Sequence, residues 1–419
     1  MNPVHSEDPK AEKVPKAPNV ESDQTQCCIA GGGPAGVMLG LLLARMGVEV
    51  LVLEKHKDFF RDFRGDTIHP STLELLSDLG CLQEFLQRPH QEVRHIQAHF
   101  ADKVITIADF THLPTHCKFI GFMPQWDFLD FLSTHARSYP GFRLRMEAEV
   151  TELLWESGRI AGVKALTPRG ELRVLARLVV GADGRSSTVR ERAGLEVIEF
   201  GAPIDVFWFR LSRRADDPPQ AFGFVGAGQF MVLLDRGDYW QCAYVIRKGQ
   251  AEEERKHGLP AFQEEVARCA PFVRDRVGEL TSWDQVKLLS VKMDRLRVWA
   301  REGLLCIGDC AHAMSPVGGV GINLALQDAV AAARIIGDRL RTNQLTLGDL
   351  LAVQARRERP TRLTQRVQKF IHEHVLERIF TATGPIAPPW PFRLLNDFPF
   401  LRRIPARMVG VGFRPERIR

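Results

Sequence analysis

Residues 31–36, Gly31-Gly32-Gly33-Pro34-Ala35-Gly36, constrain the fold of this chain more than any other stretch. They join an apolar run at 26–30, which reads as a strand, to a run at 34–46 that is apolar almost all round and reads as a helix buried against a sheet. Gly47 fits the helix stop, and 48–53 supply a second strand, so the segment is a βαβ unit. Each glycine then has a task. Gly31 permits the tight turn, Gly33 lets the backbone approach a pyrophosphate, and Gly36 lets helix and strand pack closely. Glu54 ends the second strand, 18 residues after Gly36, where its carboxylate can accept from ribose hydroxyls. A carboxylate suits the unmodified ribose of FAD or NAD and disfavours a 2′-phosphate.

Two later motifs follow apolar runs in the same way. Gly181-Ala182-Asp183-Gly184-Arg185 comes after a strand-like run at 172–180, where Asp-Gly alone would be only a turn. Gly308-Asp309 comes after the run 304–307, then Pro316, Gly318, Gly319 and Gly321, with a long helix expected from about Asn323. A carboxylate at a strand end can hold a sugar-like hydroxyl, and free N–H groups at a helix start favour partial negative charge. A reduced flavin ring has that need near its pyrimidine end. His312, within this loop, reads as structural rather than catalytic.

With these three motifs in this order, the chain resembles the para-hydroxybenzoate hydroxylase family of group A, single-component flavoprotein monooxygenases, over residues 26–370. The resemblance implies an α/β fold: a Rossmann-like FAD-binding domain with an inserted mixed β-sheet substrate domain. It implies FAD contacts from Gly31, Gly33, Pro34, Ala35 and Gly36, from Glu54 at the adenosine ribose, and from Arg64 near the phosphate and ribityl region. Gln125 matches a position beside the cofactor, and the Val150 backbone one that meets adenine. Asp183 matches the Asp-Gly motif tied to FAD and the pyridine nucleotide, and Arg190 is one helical turn further on. Asp309 would hold the ribityl chain, and Pro316 and Gly319 would line the ring. The backbone at Gly321, Ile322 and Asn323 would face the pyrimidine.

No second strand–GxGxxG–helix unit occurs, and 223–228 lacks the third glycine, so NAD(P)H is expected as a transient co-substrate. The implied reaction is oxygen transfer from dioxygen through a flavin C4a-hydroperoxide, hydroxylating or epoxidising an aromatic or polyketide-like small molecule. The alternatives are an FAD-dependent reductase of an isoprenoid-like alkene and a non-catalytic flavin-binding protein. The WxWxIP motif typical of flavin-dependent halogenases is absent. No catalytic acid or base is assigned. Tyr139, Tyr239, Tyr244, His95, His99, His112 and His116 are candidates without a marking motif.

At 419 residues the chain has room for two domains. The expected division is a disordered tail at 1–24; an FAD-binding domain from 25–90, 119–190 and 296–375; a substrate domain from 91–118 and 191–295; and an extension at 376–419 packed on both. A capping box at Ser71 and Glu74 predicts a helix over 72–79, ended by Gly80. Further expected elements are a helix at 125–137, paired strands at 143–150 and 160–166, and a helix at 260–277. Strands at 206–211, 230–234, 239–246 and 286–291 carry Phe207, Trp208, Phe209, Phe230, Met231, Trp240 and Tyr244, of which about half should face a pocket.

A net charge of +5 is too mild to argue nucleic-acid binding. Eight cysteines without a CxxC pair argue against a metal site, and with no signal peptide they point to a reducing cytoplasm. No stable membrane insertion is expected, and the protein should be a monomer or homodimer. Residues 391–408 are basic and apolar; they should pack on the substrate domain, with a membrane-surface role as the alternative.

Overall fold

The computed structural model describes residues 20–60, 67–100, 103–218, 223–384 and 386–418. Its first sheet has eight strands. The central ones, in spatial order Leu304–Cys306, Gly170–Gly181, Glu21–Ala30, Val50–Leu53 and Phe142–Arg145, run parallel. Ala30 pairs with both Leu53 and Gly181, and Gly181 pairs with Cys306. The three motifs therefore leave the same C-terminal edge of adjacent strands, where open α/β sheets bind ligands.

Side chains alternate across this sheet. Cys27, Ile29, Val50, Val52, Leu178 and Val180 face the helices Pro34–Arg45, Gln125–Ala136 and Gly321–Arg341. Cys28, Ala30, Leu51, Leu53 and Val179 face an antiparallel meander, Glu149–Glu156 with Arg159–Thr167. Each fully buried aliphatic side chain contributes about 1.5–3 kcal/mol. Among the described residues one helical span is long and apolar enough to cross a membrane; it includes Gly321–Arg341, and 78% of its most apolar window is buried inside the protein.

The second sheet has seven strands, in order Lys287–Ser290, Ile204–Ser212, Tyr239–Arg247, Gln229–Asp235, Gly223–Gly226, His95–Phe100 and Lys103–Asp109. Phe207, Phe209, Met231, Trp240 and Tyr244 lie on one face, under the helix Leu259–Cys269. Val206, Trp208, Phe230, Val232, Ala243 and Val245 lie on the other. There they meet Val317 and the chain from Val375 onward.

Several sequence expectations are corrected. Residues 21–24 are not tail: Glu21–Ala30 is one strand, its polar end held by Arg143 on Asp23 at 2.7 Å and Arg145 on Glu21 at 2.6 Å. The helix Pro70–Asp78 has no capping box. Its N-cap is His69, the Ser71 hydroxyl donates to Asn323 Oδ1 at 2.7 Å, and Glu74 accepts from the His116 backbone. The stretch 143–150 is two strands, because Glu147 turns at φ 53°. The helix expected to reach 277 stops at Cys269, before Pro271. The long helix starts at Gly321, two residues earlier than expected.

Candidate functional site

The glycine-rich turn shows two opposite demands. Gly31 has φ 106°, and a Cβ there would lie 2.3 Å from the Ala182 carbonyl oxygen, so only glycine fits. A Cβ on Gly36 would lie 2.0 Å from the Gly31 carbonyl oxygen. At Gly33 a Cβ would meet nothing within 4 Å. Pro34 and Ala35 open the helix, which has no side-chain cap and no acidic residue in its first turn. Its leading N–H groups are left for an anion.

Glu54 is 12% exposed and serves the turn itself: Oε2 accepts the Gly32 N–H at 2.8 Å and Oε1 the His56 N–H at 3.1 Å. Val150 is buried on the adjoining strand, two residues past Ala148, whose N–H donates to the Glu54 carbonyl at 2.9 Å. Gln125 is half-buried at the first position of its helix. Arg64 lies outside the described residues.

Both carboxylate oxygens of the half-buried Asp183 are engaged within the chain. Oδ1 accepts the Ser187 hydroxyl at 2.5 Å and Oδ2 the Val189 N–H at 3.1 Å, so the group caps the short helix Thr188–Arg192. Arg190 is structural as well: it is buried, spans Asp294 at 3.3 Å and donates to the carbonyls of Arg185 and Cys310. The residue of this segment that reaches Asp309 is Arg185, which sequence reasoning passed over. Its Nη2 lies 3.5 Å from Asp309 Oδ2, while its buried Nη1 has no hydrogen-bond partner among the described residues. The only sequence signal was its place after Asp183-Gly184.

Asp309 is 29% exposed in the turn Gly308–Cys310. Gly308 sits between the two nucleotide-side helices: a Cβ there would lie 3.2 Å from Ala35 Cβ and 3.3 Å from Ala325 Cβ. Pro316 leads into a turn in which Gly318 and Gly319 take φ of 82° and 63°. The Gly319 carbonyl accepts the Thr67 hydroxyl at 2.9 Å and faces His69 Nε2 at 3.0 Å. The helix Gly321–Arg341 then begins with no side-chain cap and no acidic residue in its first turn, and a Cβ on Gly321 would meet nothing within 4 Å. Ile322 is buried, and Asn323 Oδ1 accepts from Ser71 and Thr72.

Two supports behind this loop were invisible in the sequence. The helix Leu347–Ile371 staples it: Gln368 Nε2 donates to the Ser315 and Val317 carbonyls at 2.9 and 3.0 Å, and Gln365 Nε2 to those of Asp294 and Ala313 at 2.7 and 3.3 Å. Ser315 Oγ meets His372 Nε2 at 2.9 Å, where the helix widens into a π-turn. The second support is a buried charge cluster. Asp328 Oδ2 accepts the Gly308 N–H at 3.1 Å and meets His312 Nε2 at 2.6 Å, and Oδ1 accepts from Arg357 Nε at 3.0 Å. Burial opposes ionisation of Asp328, but His312 and Arg357 prevail and lower its pKa. Arg357 reaches on to Glu416 at 3.5 Å, which also binds Arg356 at 2.6 Å and Arg334 at 3.0 Å. His312 is thus a buried structural residue, 1% exposed.

The other titratable candidates lie elsewhere. Tyr244 donates to Glu265 at 2.9 Å on the helix-covered face, and burial with that carboxylate pushes its pKa far up. His99 stacks on Phe224 at 4.5 Å on the same face. His95 and His112 flank Asp109 at 3.5 and 3.6 Å. His116 binds Glu74. Tyr139 packs on the nucleotide-domain core. Tyr239 borders a cleft of about 300 Å³ between the second sheet and the start of the helix Gln125–Ala136, with Phe122, Trp126, Arg210 and Arg236. A larger hollow, about 400 Å³, surrounds the buried Asp217–Arg276 pair on the outer side of the second sheet, away from all three motifs.

Open backbone at Gly33, Gly184 and Gly321 and the unpartnered Arg185 Nη1 line one edge, which fits an extended anionic cofactor with sugar hydroxyls. Among the described residues no cluster of His, Cys, Asp and Glu could hold a metal, and all eight cysteines are free and buried.

Comparisons with known proteins agree. Residues 24–367 match a family described as FAD binding domain. The 6-methylpretetramide 4-monooxygenase of Streptomyces rimosus is 33% identical over 410 residues, covering 96% of each chain. The dialkyldecalin synthase of Streptomyces rugosporus is 30% identical over 312 residues, 72% of this chain and 63% of that one. The solved p-nitrophenol 4-monooxygenase of Pseudomonas putida superimposes with a TM-score of 0.73 at 19% identity, covering 93% of this chain and 98% of that one, a likeness of fold. The chain thus belongs to the FAD-binding-domain family as an FAD-dependent monooxygenase.

Proposed function

We propose that this monooxygenase hydroxylates a polycyclic aromatic molecule of the polyketide type, drawing its electrons from NAD(P)H. The observation that carries the reading is the sheet face of Val206, Trp208, Phe230, Val232, Ala243 and Val245, which meets Val317 of the loop after Asp309. Trp208, Phe230 and Val232, which the chain from Val375 leaves only half-buried, offer apolar contact to a ring system. At its end, Arg210 and Arg236 line the cleft with Tyr239, Phe122 and Trp126. The end-to-end relative, a 6-methylpretetramide 4-monooxygenase, bears a name of the same substrate class.

FAD, once reduced, supplies the two electrons that let one oxygen atom of dioxygen enter the substrate while the other leaves as water. The chain's own groups hold and position it. The open N-terminus at Gly33 would meet the pyrophosphate, and Glu54, which holds the turn, would stand at the adenosine end. Asp309 and Arg185 would hold the ribityl and phosphate region, and the N-terminus at Gly321 would favour negative charge at the pyrimidine edge.

Stopped-flow reduction of the purified yellow protein by NADH and NADPH, with and without polycyclic phenols, tests the reading. The expected result is faster flavin reduction with such a ligand and a product heavier by one oxygen atom. Oxygenation confined to single-ring phenols, or ligand turnover without dioxygen, would overturn it.

A further inference from the structure

The last part of the chain builds a two-sided layer. The helices Trp390–Asp397 and Arg403–Gly410, joined by the turn Pro399–Arg402, both lie on the edge strand Lys103–Asp109. Their inner sides are anchored: Phe392 meets Phe100 at 5.8 Å, Ala406 is fully buried, and Gly410 sits on Phe110. Their outer sides carry Trp390 at 67% exposure, Phe400 at 63%, Ile404 at 57% and Phe398 at 48%. Between them stand Arg393, Arg402, Arg403 and Arg407, against the single acid Asp397 across 390–408. Arg403 and Arg407 are exposed and form no ion pair among the described residues.

We propose that this layer docks peripherally on an anionic lipid surface. Because both helices rest on one strand, their outer sides look the same way, and the large apolar groups form one patch. Tryptophan and phenylalanine ringed by arginine are what the headgroup boundary accepts: the rings enter the acyl edge while the guanidinium groups stay with the phosphates. A second copy of this chain is a poorer occupant. A two-fold contact would set four arginines against the same four, with one aspartate on each side to offset them. The inner anchoring explains how the patch persists in the folded chain: the outer side chains are not needed for the core.

The test uses the FAD-loaded full chain, sedimented with vesicles of phosphatidylcholine alone or mixed with phosphatidylglycerol. Binding to the mixed vesicles, weakened by salt, is expected, with little binding to the neutral ones. Phe400→Ser with Arg403→Glu should lower the partition about tenfold or more, since it removes one apolar contact and reverses one charge. Flavin absorbance and melting temperature of the variant should match the parent, as both side chains face outward. A parent protein that stays in the supernatant with mixed vesicles, or a variant that binds them equally, overturns the proposal. Light scattering that shows a dimer broken by Phe400→Ser assigns the patch to a second copy instead.

Discussion

Gly31 and Gly321 were both legible as glycines of a nucleotide fold, yet they are glycine for different reasons. At Gly31 the backbone is left-handed and a Cβ would strike the Ala182 carbonyl; at Gly321 there is open space where a cofactor would lie. Gly31→Ala should therefore cost more than about 2 kcal/mol of stability and abolish flavin retention. Gly321→Ala should melt within about 0.5 kcal/mol of the parent but bind FAD more weakly, because the methyl group occupies the approach. Melting curves and flavin content separate the two, and equal losses in both variants would refute the distinction. His69 illustrates what the sequence concealed. Its Nδ1 faces the Val409 carbonyl at 2.8 Å and its Nε2 the Gly319 carbonyl at 3.0 Å, contacts across 340 and 250 residues that no local pattern encodes. Burial lowers its pKa from 6.5, and the two carbonyls only partly oppose this. The unfolded chain then takes up a proton first as the pH falls, so stability is complete above 6.5 and declines towards the folded pKa. His372 is shifted the same way by burial. Urea midpoints from about pH 7 to about pH 5 should fall more steeply for the parent than for His69→Gln. Parallel slopes would show that His69 is not the titrating group.

Elements with a strong apolar period were read almost to their ends, while those held by polar tertiary contacts were misread. The helix Gln125–Ala136 and the strand Tyr239–Arg247 match their expectations within a residue or two, because burial on one side writes the period into the sequence. Ser71 and Glu74 have capping-box spacing, but Pro70 already fixes the helix start and both side chains are taken by distant partners. Beyond Val353 the helix Leu347–Ile371 buries mostly polar side chains. Its buried face carries Gln354, Gln365 and Gln368, a pattern that makes sense only against a loop presenting unpaired carbonyls. Gln368→Leu keeps roughly the shape but leaves the Ser315 and Val317 carbonyls and the Ser315 N–H without their partner. The expected cost is about 2–4 kcal/mol in urea unfolding, with a several-fold rise in the FAD dissociation constant by flavin fluorescence. Unchanged FAD affinity would mean that the helix does not set the loop.

Across the whole molecule, the family motifs made the parallel sheet and its ligand edge legible, since they sit at the ends of strands that must lie side by side. The return of the C-terminus was not legible. Glu416 reads as one charge in a basic tail, yet it is 1% exposed among Arg334, Arg356 and Arg357, and its neighbour Arg417 binds Glu74 and Asp78 at 2.6 Å. Charges so placed become favourable only when the chain has closed, because a buried ion without its partner costs several kcal/mol. The contact continues inward: Glu416 to Arg357, Arg357 to Asp328, and Asp328 to the Gly308 N–H beside Asp309. The tail and the turn at Asp309 should therefore be energetically coupled. Glu416→Gln alone should destabilise by about 3 kcal/mol, because it leaves the buried Arg357 with Asp328 as its remaining counter-charge, and Asp328→Asn should do likewise for Arg357 and His312. Made together, they should cost more than the sum by about 0.5–3 kcal/mol, since the second change removes the last counter-charge of the same buried Arg357 side chain. Denaturant unfolding of the four proteins, each at saturating FAD, measures that difference. Strict additivity would show two independent ion pairs and no link from the C-terminus to the cofactor edge.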